Sequence, residues 1–280
     1  MEREFRAMGT EWWLRADRAS MALMDRAQGL VEMIESRLSR FRPASALSRL
    51  NRDRCVEDEM LSAVLLAAED VRVRTSGAFD ARVGSAVVAA GYDRSFEDLG
   101  ATDAAPSDPR RPEVVVAGAS VRLVGEGALD LGGIAKGWTV DRVADLLSAS
   151  GPCLVDGGGD IAVRGRPRDA SEWAIGIGDE QTVGLEHGAV ATSSTLHRCW
   201  RAGNGVAHHI IDPETGRPAA GLTNTVVIAR AAYLADALAT ALIADMQRAL
   251  PALREAGAEA LVQHSDGRWE MTAGMGRFLR

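Results

Sequence analysis

The chain has 280 residues, 46% hydrophobic and 25% charged, with 32 basic against 39 acidic side chains and a formal net charge of −7. A chain of that length buries enough surface to fold without a metal or disulfide staple, and its composition excludes a disordered segment. The acidic balance argues against nucleic acid as the main partner, because phosphate contacts need a basic face.

Residues 4–16 hold a strand-like run around Trp12, Trp13 and Leu14. Met21, Met24, Val31, Ile34 and Leu38 then share one face of a helix that stops before Pro43, and 42–45 reads as a loop. A second helix covers about Asp58 to Arg74, with Leu61, Val64, Leu65, Ala68 and Val71 inward. Residues 100–112 have no periodicity and read as a surface loop. A hairpin of 113–117 and 121–124 precedes a helix from Trp138 to Leu147. Strands at 153–156 and 161–164 flank Gly157-Gly158-Gly159. Further strands are predicted near 173–177, 189–192, 208–211 and 224–229. A strong helix over about 232–246, a short helix and a hairpin around Asp266-Gly267 complete the chain.

Frequent hairpins without strict β–α–β order predict an α+β fold with mixed, largely antiparallel sheets and packed helices. No repeat or linker divides the chain, so residues 1–280 read as one domain, with two lobes around a cleft. Cys55, Cys153 and Cys199 form no CxxC pair and read as three buried free thiols suited to a reducing compartment. The first residues carry acids and no apolar signal core, and the apolar run 231–244 is interrupted by Asp236. The expectation is a cytoplasmic protein with no membrane span.

The chain contains 29 glycines, yet none of the common glycine-rich phosphate-loop patterns is present. No GxGxxG, GxSxG or HExxH occurs, and Trp138 stands where a P-loop spacing from Gly132 would need Lys. Three stretches carry chemistry. In the first, 31 of the 32 basic residues are Arg, and the one Lys is Lys136 in Asp130-Leu131-Gly132-Gly133-Ile134-Ala135-Lys136-Gly137. Two glycines, a compact ammonium and a helix start suit a phosphate or pyrophosphate, or else mark a tight strand-to-helix turn. In the second, Asp236 and Thr240 lie four apart on a small apolar helix, as hard oxygen ligands for Mg²⁺ or as an acid bonded to a neighbouring turn. In the third, His208-His209-Ile210-Ile211-Asp212-Pro213 puts the two histidines on opposite faces of a strand, so one of them can reach a cleft. Met8-Gly9-Thr10, Gly77-Ala78-Phe79-Asp80 and 156–160 read alone as turns and caps.

Taken in order, these stretches resemble the FAD:protein FMN transferase family. The matching set adds Phe41-Arg42-Pro43 with Ser45, Ser48, Arg49 and Asn51, then Ala191-Thr192-Ser193-Ser194, and runs from residue 8 to about 246. The resemblance implies an enzyme that binds FAD in a cleft with Mg²⁺. It would transfer the FMN half to a Ser or Thr hydroxyl of an acceptor protein and release AMP. By position it implies Asp236, Thr240 and the Gly133 carbonyl as metal ligands. It implies Met8, Phe41, Ala78, Phe79, Asp80, Asp130, Lys136 and His209 as FAD contacts. Asp236, Lys136 and His209 carry the expected catalysis, with His209 or Asp160 as general base. Ala81-Arg82 replaces a Pro-Thr pair common in relatives, and Phe41 stands where some have Tyr. The alternatives are an FAD pyrophosphatase yielding FMN and AMP, or a non-catalytic FAD-binding protein.

Overall fold

Residues 1–102, 107–178, 181–203 and 205–280 are described by the structure, a computed structural model. An eight-stranded antiparallel sheet is its spine. The strands Glu2–Ala7, Thr10–Ala16, Cys153–Gly157, Ile161–Arg164, His187–Ser194, Leu222–Ala229, Glu259–His264 and Trp269–Met271 lie side by side in that order. Position in the sheet thus follows position in the chain, and every neighbouring pair is antiparallel. Two of its hairpins, at 153–164 and 259–271, match the sequence reading, whereas the single strand-like run expected over 4–16 is two strands turning at Met8-Gly9.

Period-two alternation splits the sheet into two buried faces. Trp12, Leu14, Cys153, Val155, Ala162 and Ala189 pack against helices α1 (Met21–Leu38) and α5 (Ala135–Ser148). Leu154, Val163, Val190, Val226 and Leu261 point the other way, onto a ribbon of Trp173–Ile177 and Gln181–Leu185. Helix α6 (Ala232–Ala244) covers the central strands on the α1–α5 side, followed by α7 (Met246–Glu255).

The segment between the second and third strands of the sheet builds a second layer. Helices α2 (Ala46–Asp53) and α3 (Glu59–Arg74) pack on a small sheet of Cys55–Glu57, Ser120–Val124 and Glu113–Ala117. Short α4 (Gly84–Ala89) follows a 3-10 turn at Ala81–Val83. Asp58 caps α3 by accepting from the Leu61 amide at 2.9 Å, and all five residues expected inward are buried. Among the described residues no helix is long and apolar enough to cross a membrane.

Several expectations are corrected. Helix α2 was not anticipated. Only Ala46, Leu47 and Leu50 of its eight residues are buried, too few to show a helical period. The helix at 138–147 starts earlier, at Ala135, so Lys136 lies in its first turn. The helix at 232–246 breaks at Asp245, which caps α7 instead. The strand at 208–211 is two strands, Gly205–His208 and Ile211–Asp212, interrupted at His209 and Ile210. Cys153 is buried, but Cys55 and Cys199 are exposed on short two- and three-stranded sheets. Of the predicted loop 100–112, residues 103–106 lie outside the described residues; 107–112 carry no regular element.

Candidate active site

A cavity of about 800 Å³ opens between the ends of the main-sheet strands and the inserted layer. It is lined by Met8, Phe41, Ala78, Phe79, Asp80, Asp130, Gly133, Lys136, His209, Asp236 and Thr240, whereas Asp160, the other candidate base, lies buried behind Lys136 and outside the lining. No two of these contiguous blocks come from the same part of the chain, so the fold alone brings them together.

At the floor of the cavity, α5 and α6 cross. The crossing is close because position 137 is Gly: an added Cβ would lie 2.6 Å from the Ala232 carbonyl carbon and 2.8 Å from Tyr233 Cα. Asp236 is buried and its Oδ2 accepts from the Gly137 amide at 3.1 Å. One turn further along α6, Thr240 Oγ1 lies 3.4 Å from Ser193 Oγ. An added Cβ on Gly133 would sit 2.8 Å from that hydroxyl, so the Gly133 backbone rests on Thr240. Lys136 forms an ion pair with fully buried Asp160, whose Oδ1 has no hydrogen-bond partner. Burial and the Asp236 charge push the Asp160 carboxyl up, and the Lys136 ammonium opposes them. Burial also raises Asp236, against the opposing Lys136 charge. Burial works against the Lys136 ammonium, yet Asp160 and Asp236 outweigh it and hold its pKa above the usual value.

The side walls are held by the motif residues themselves. Asn51 grips Leu129 through two hydrogen bonds, at 2.8 and 2.9 Å, and so fixes the strand end before Asp130. Asp130 pairs with Arg40 at 2.5 Å and accepts from the Gly132 amide at 2.6 Å. Ser45 and Ser48 hydroxyls donate to the Ser39 and Arg40 carbonyls at 2.6 and 3.0 Å, which tightens the turn that carries Arg40 and Phe41. The Arg40 guanidinium lies over both the Phe41 and Tyr92 rings, 4.1 and 4.6 Å from their centroids. Asp80 caps the 3-10 turn and is clasped at both oxygens by Arg82, so Arg82 stiffens the loop where a Pro-Thr pair is missing.

Met8 has φ +52° and Gly9 φ +69°, a two-residue hairpin turn of the kind that favours Asn-Gly. A side chain held in that left-handed region at a cavity edge is a cost retained at a site. His209 follows the strand that ends at His208. Its Nδ1 lies 3.4 Å from the Arg198 carbonyl, which can only accept, so Nδ1 carries the proton and Nε2 is left as acceptor. Burial and the Arg198 charge bring the imidazole down to about 4, so it is neutral at pH 7. His208 turns away and bonds the Ala219 carbonyl at 3.0 Å, as alternation requires.

The ApbE family model matches residues 8–262. The chain belongs to the ApbE family. It is 32% identical over 246 residues to a Vibrio cholerae protein named FAD:protein FMN transferase, covering 80% of this chain and 73% of that one. A Treponema pallidum protein of the same name is 32% identical over 290 residues, covering 91% and 80%. The crystal structure of the ApbE protein of Thermotoga maritima superposes with a TM-score of 0.89 at 26% identity, covering 100% of this chain and 99% of that one. The flavin transferase ApbE of Vibrio cholerae gives 0.80 at 26% identity, covering 99% and 98%.

Within this ApbE fold, sequence reasoning missed Arg40, Tyr92 and Arg198, all lining the cavity. Tyr92 packs at a tilt against Phe41 and Trp200 and edge-on against His209, with centroids 5.4, 5.4 and 6.4 Å apart. Its rarity was a usable signal, since the chain has only two Tyr. Arg40 and Arg198 gave none, because Arg is the default cation of this chain.

Proposed function

We propose that this chain moves the FMN moiety of FAD onto a Ser or Thr hydroxyl of an acceptor protein and releases AMP. The observation that carries the reading is the convergence of Asp236, Thr240, Gly133, Lys136 and His209 on one dinucleotide-sized cavity. The names of the relatives support it.

The reading includes Mg²⁺, held by the Asp236 carboxylate, the Thr240 hydroxyl and the Gly133 carbonyl. The donor set fits: these are hard oxygens, and buried Asp160 Oδ1 beside them lacks a partner. Among the described residues no cluster of three or more His, Cys, Asp or Glu side chains could enclose a metal. Mg²⁺ takes one or two carboxylates and completes its shell with water and substrate phosphates. When bound, the ion supplies positive charge beside the pyrophosphate.

The chain's own residues do the rest. Phe41, Tyr92 and Arg40 offer flat faces to the rings of the dinucleotide. Lys136 holds positive charge at the phosphates, oriented by Asp160. The acceptor oxygen forms a bond to the flavin-side phosphorus as the bond from that phosphorus to the bridging oxygen breaks. AMP leaves with the bridging oxygen. His209 Nε2 receives the hydroxyl proton. The whole chain acts as one domain. A cytoplasmic location fits its three free cysteines.

The test is mass spectrometry of the protein with FAD, Mg²⁺ and a protein substrate rich in Ser/Thr beside small residues. The expected result is an acceptor heavier by one FMN moiety, with AMP released in equal amount. FMN and AMP with unmodified acceptor would instead make water the nucleophile, and intact bound FAD would make the chain a carrier.

A further inference from the structure

Five cationic side chains line the cavity: Arg6, Arg40, Arg42, Lys136 and Arg198. Four already have a carboxylate partner. Arg6 pairs with Glu11 and Glu97, Arg40 with Asp130, Arg42 with Glu35 and Lys136 with Asp160. Among the described residues, Arg198 has no carboxylate partner. Its Nη2 donates to the Gly9 carbonyl at 3.4 Å and its guanidinium lies against the Tyr92 hydroxyl. A guanidinium has five N–H donors, so most of its capacity is unspent. It lines the same cavity as Lys136, Asp236 and His209, and its charge acts on all three.

We infer that Arg198 is a substrate-binding residue that grips the pyrophosphate oxygens of the dinucleotide and holds the AMP phosphate as it departs. The inference rests on the functional reading above and adds a residue to it. The argument is one of charge. A pyrophosphate must find cations whose field is not cancelled by a neighbouring acid, and the Lys136 ammonium is shared with Asp160. The bond made is acceptor oxygen to flavin-side phosphorus, the bond broken is phosphorus to bridging oxygen, and the hydroxyl proton goes to His209 Nε2. Arg198 is also one of the charges that keep the His209 imidazole neutral. A phosphate on the guanidinium cancels that charge, so substrate binding would make His209 a better base.

The test compares FAD with riboflavin, which has the same ring and no phosphate, by flavin fluorescence titration of the wild type, Arg198→Gln and Arg198→Lys. Arg198→Gln should weaken FAD and AMP binding about tenfold or more, while riboflavin affinity stays within about twofold. Arg198→Lys should recover part of the loss, because the charge returns without the fork. FAD affinity and turnover equal to wild type in Arg198→Gln would overturn the inference. So would an equal loss of FAD and riboflavin, which would mean that Arg198 merely props the Gly9 turn and Tyr92. Wild-type protein that binds no FAD would overturn the functional reading itself, and this inference with it.

Discussion

Asp236 on α6 accepts a hydrogen bond from the backbone amide of Gly137 on α5, at 3.1 Å. The relation is reciprocal one turn away: Asp141 on α5 accepts from the amides of Ala232 and Tyr233, at 3.0 and 2.9 Å, in the first turn of α6. Neither helix has a side-chain cap from its own N-cap residue, Ile134 or Ala231. Each instead supplies the carboxylate that satisfies the other's free N–H groups. The helix that carries the lysine and the helix that carries the acid and the threonine are therefore locked together where the chemistry is needed.

Gly137→Ala should disrupt this lock. Its methyl would overlap the Ala232 carbonyl and the Tyr233 backbone. A loss of about 1–3 kcal/mol, or more if the helices cannot separate, is expected from overpacking of this kind. Urea unfolding measures it, and an unchanged midpoint would show that the crossing has slack.

Asp141→Ala removes two helix-end hydrogen bonds and the buried partner of Arg164, which lies 3.1 Å away. Arg164 also reaches Asp145 at 3.2 Å, so its charge is not stranded. We expect a loss of about 2–4 kcal/mol, with Asp141→Asn losing less because one acceptor oxygen remains. Thermal unfolding of the two variants side by side gives the order.

Asp236→Ala removes the carboxylate from the floor of the cavity. FMN transfer should fall at least about a hundredfold, the usual scale for a lost group that stabilises transition-state charge. Added Mg²⁺ should not restore it. Transfer in Asp236→Ala that keeps its Mg²⁺ dependence would remove Asp236 from the metal set.

Chelation offers a separate check. The buried core clusters make no use of a metal, so EDTA should stop AMP release while leaving the circular dichroism spectrum and unfolding midpoint nearly unchanged. A midpoint that collapses with EDTA would give the ion a structural role instead.

His209 sets a pH dependence of stability. Its imidazole titrates near 6.5 in an unfolded chain and at about 4 when folded. Between those values the unfolded chain binds the proton and the folded one does not, so stability falls as pH drops from 7 toward 4. Linkage puts the contribution at up to about 3 kcal/mol. His209→Asn should flatten the stability curve in that window. Parallel curves for variant and wild type would refute it.

The parts of this molecule that were legible in the sequence are those written in periodic burial. Leu61, Val64, Leu65, Ala68 and Val71 mark α3, and Trp12 and Leu14 mark a strand, because one face of each element meets the core. The cavity residues were legible through rarity and resemblance: one Lys in the chain, and blocks that recur in family order. Helix α2 was not, since its role is to carry Ser48 and Asn51 to the Arg40 turn and to Leu129 rather than to bury a stripe. The break after His208 was hidden because the Ile210 amide bonds to the His208 ring, a local side-chain contact that no alternation rule encodes. Cys55 and Cys199 misled because a free thiol's usual preference for burial says nothing of a short edge position.

The sheet order has a consequence in time. The strand Thr10–Ala16 pairs with Cys153–Gly157, and its hairpin turn puts Met8 at the cavity edge. During synthesis from the N-terminus that hairpin has α1 beside it but no neighbouring strand until residue 157 has emerged, and α6, with Asp236 and Thr240, comes later still. The earliest wall to be made is thus among the last to be seated. The inserted layer likewise shares its core with α6 and α7, so ligand capture marks completion of the whole molecule.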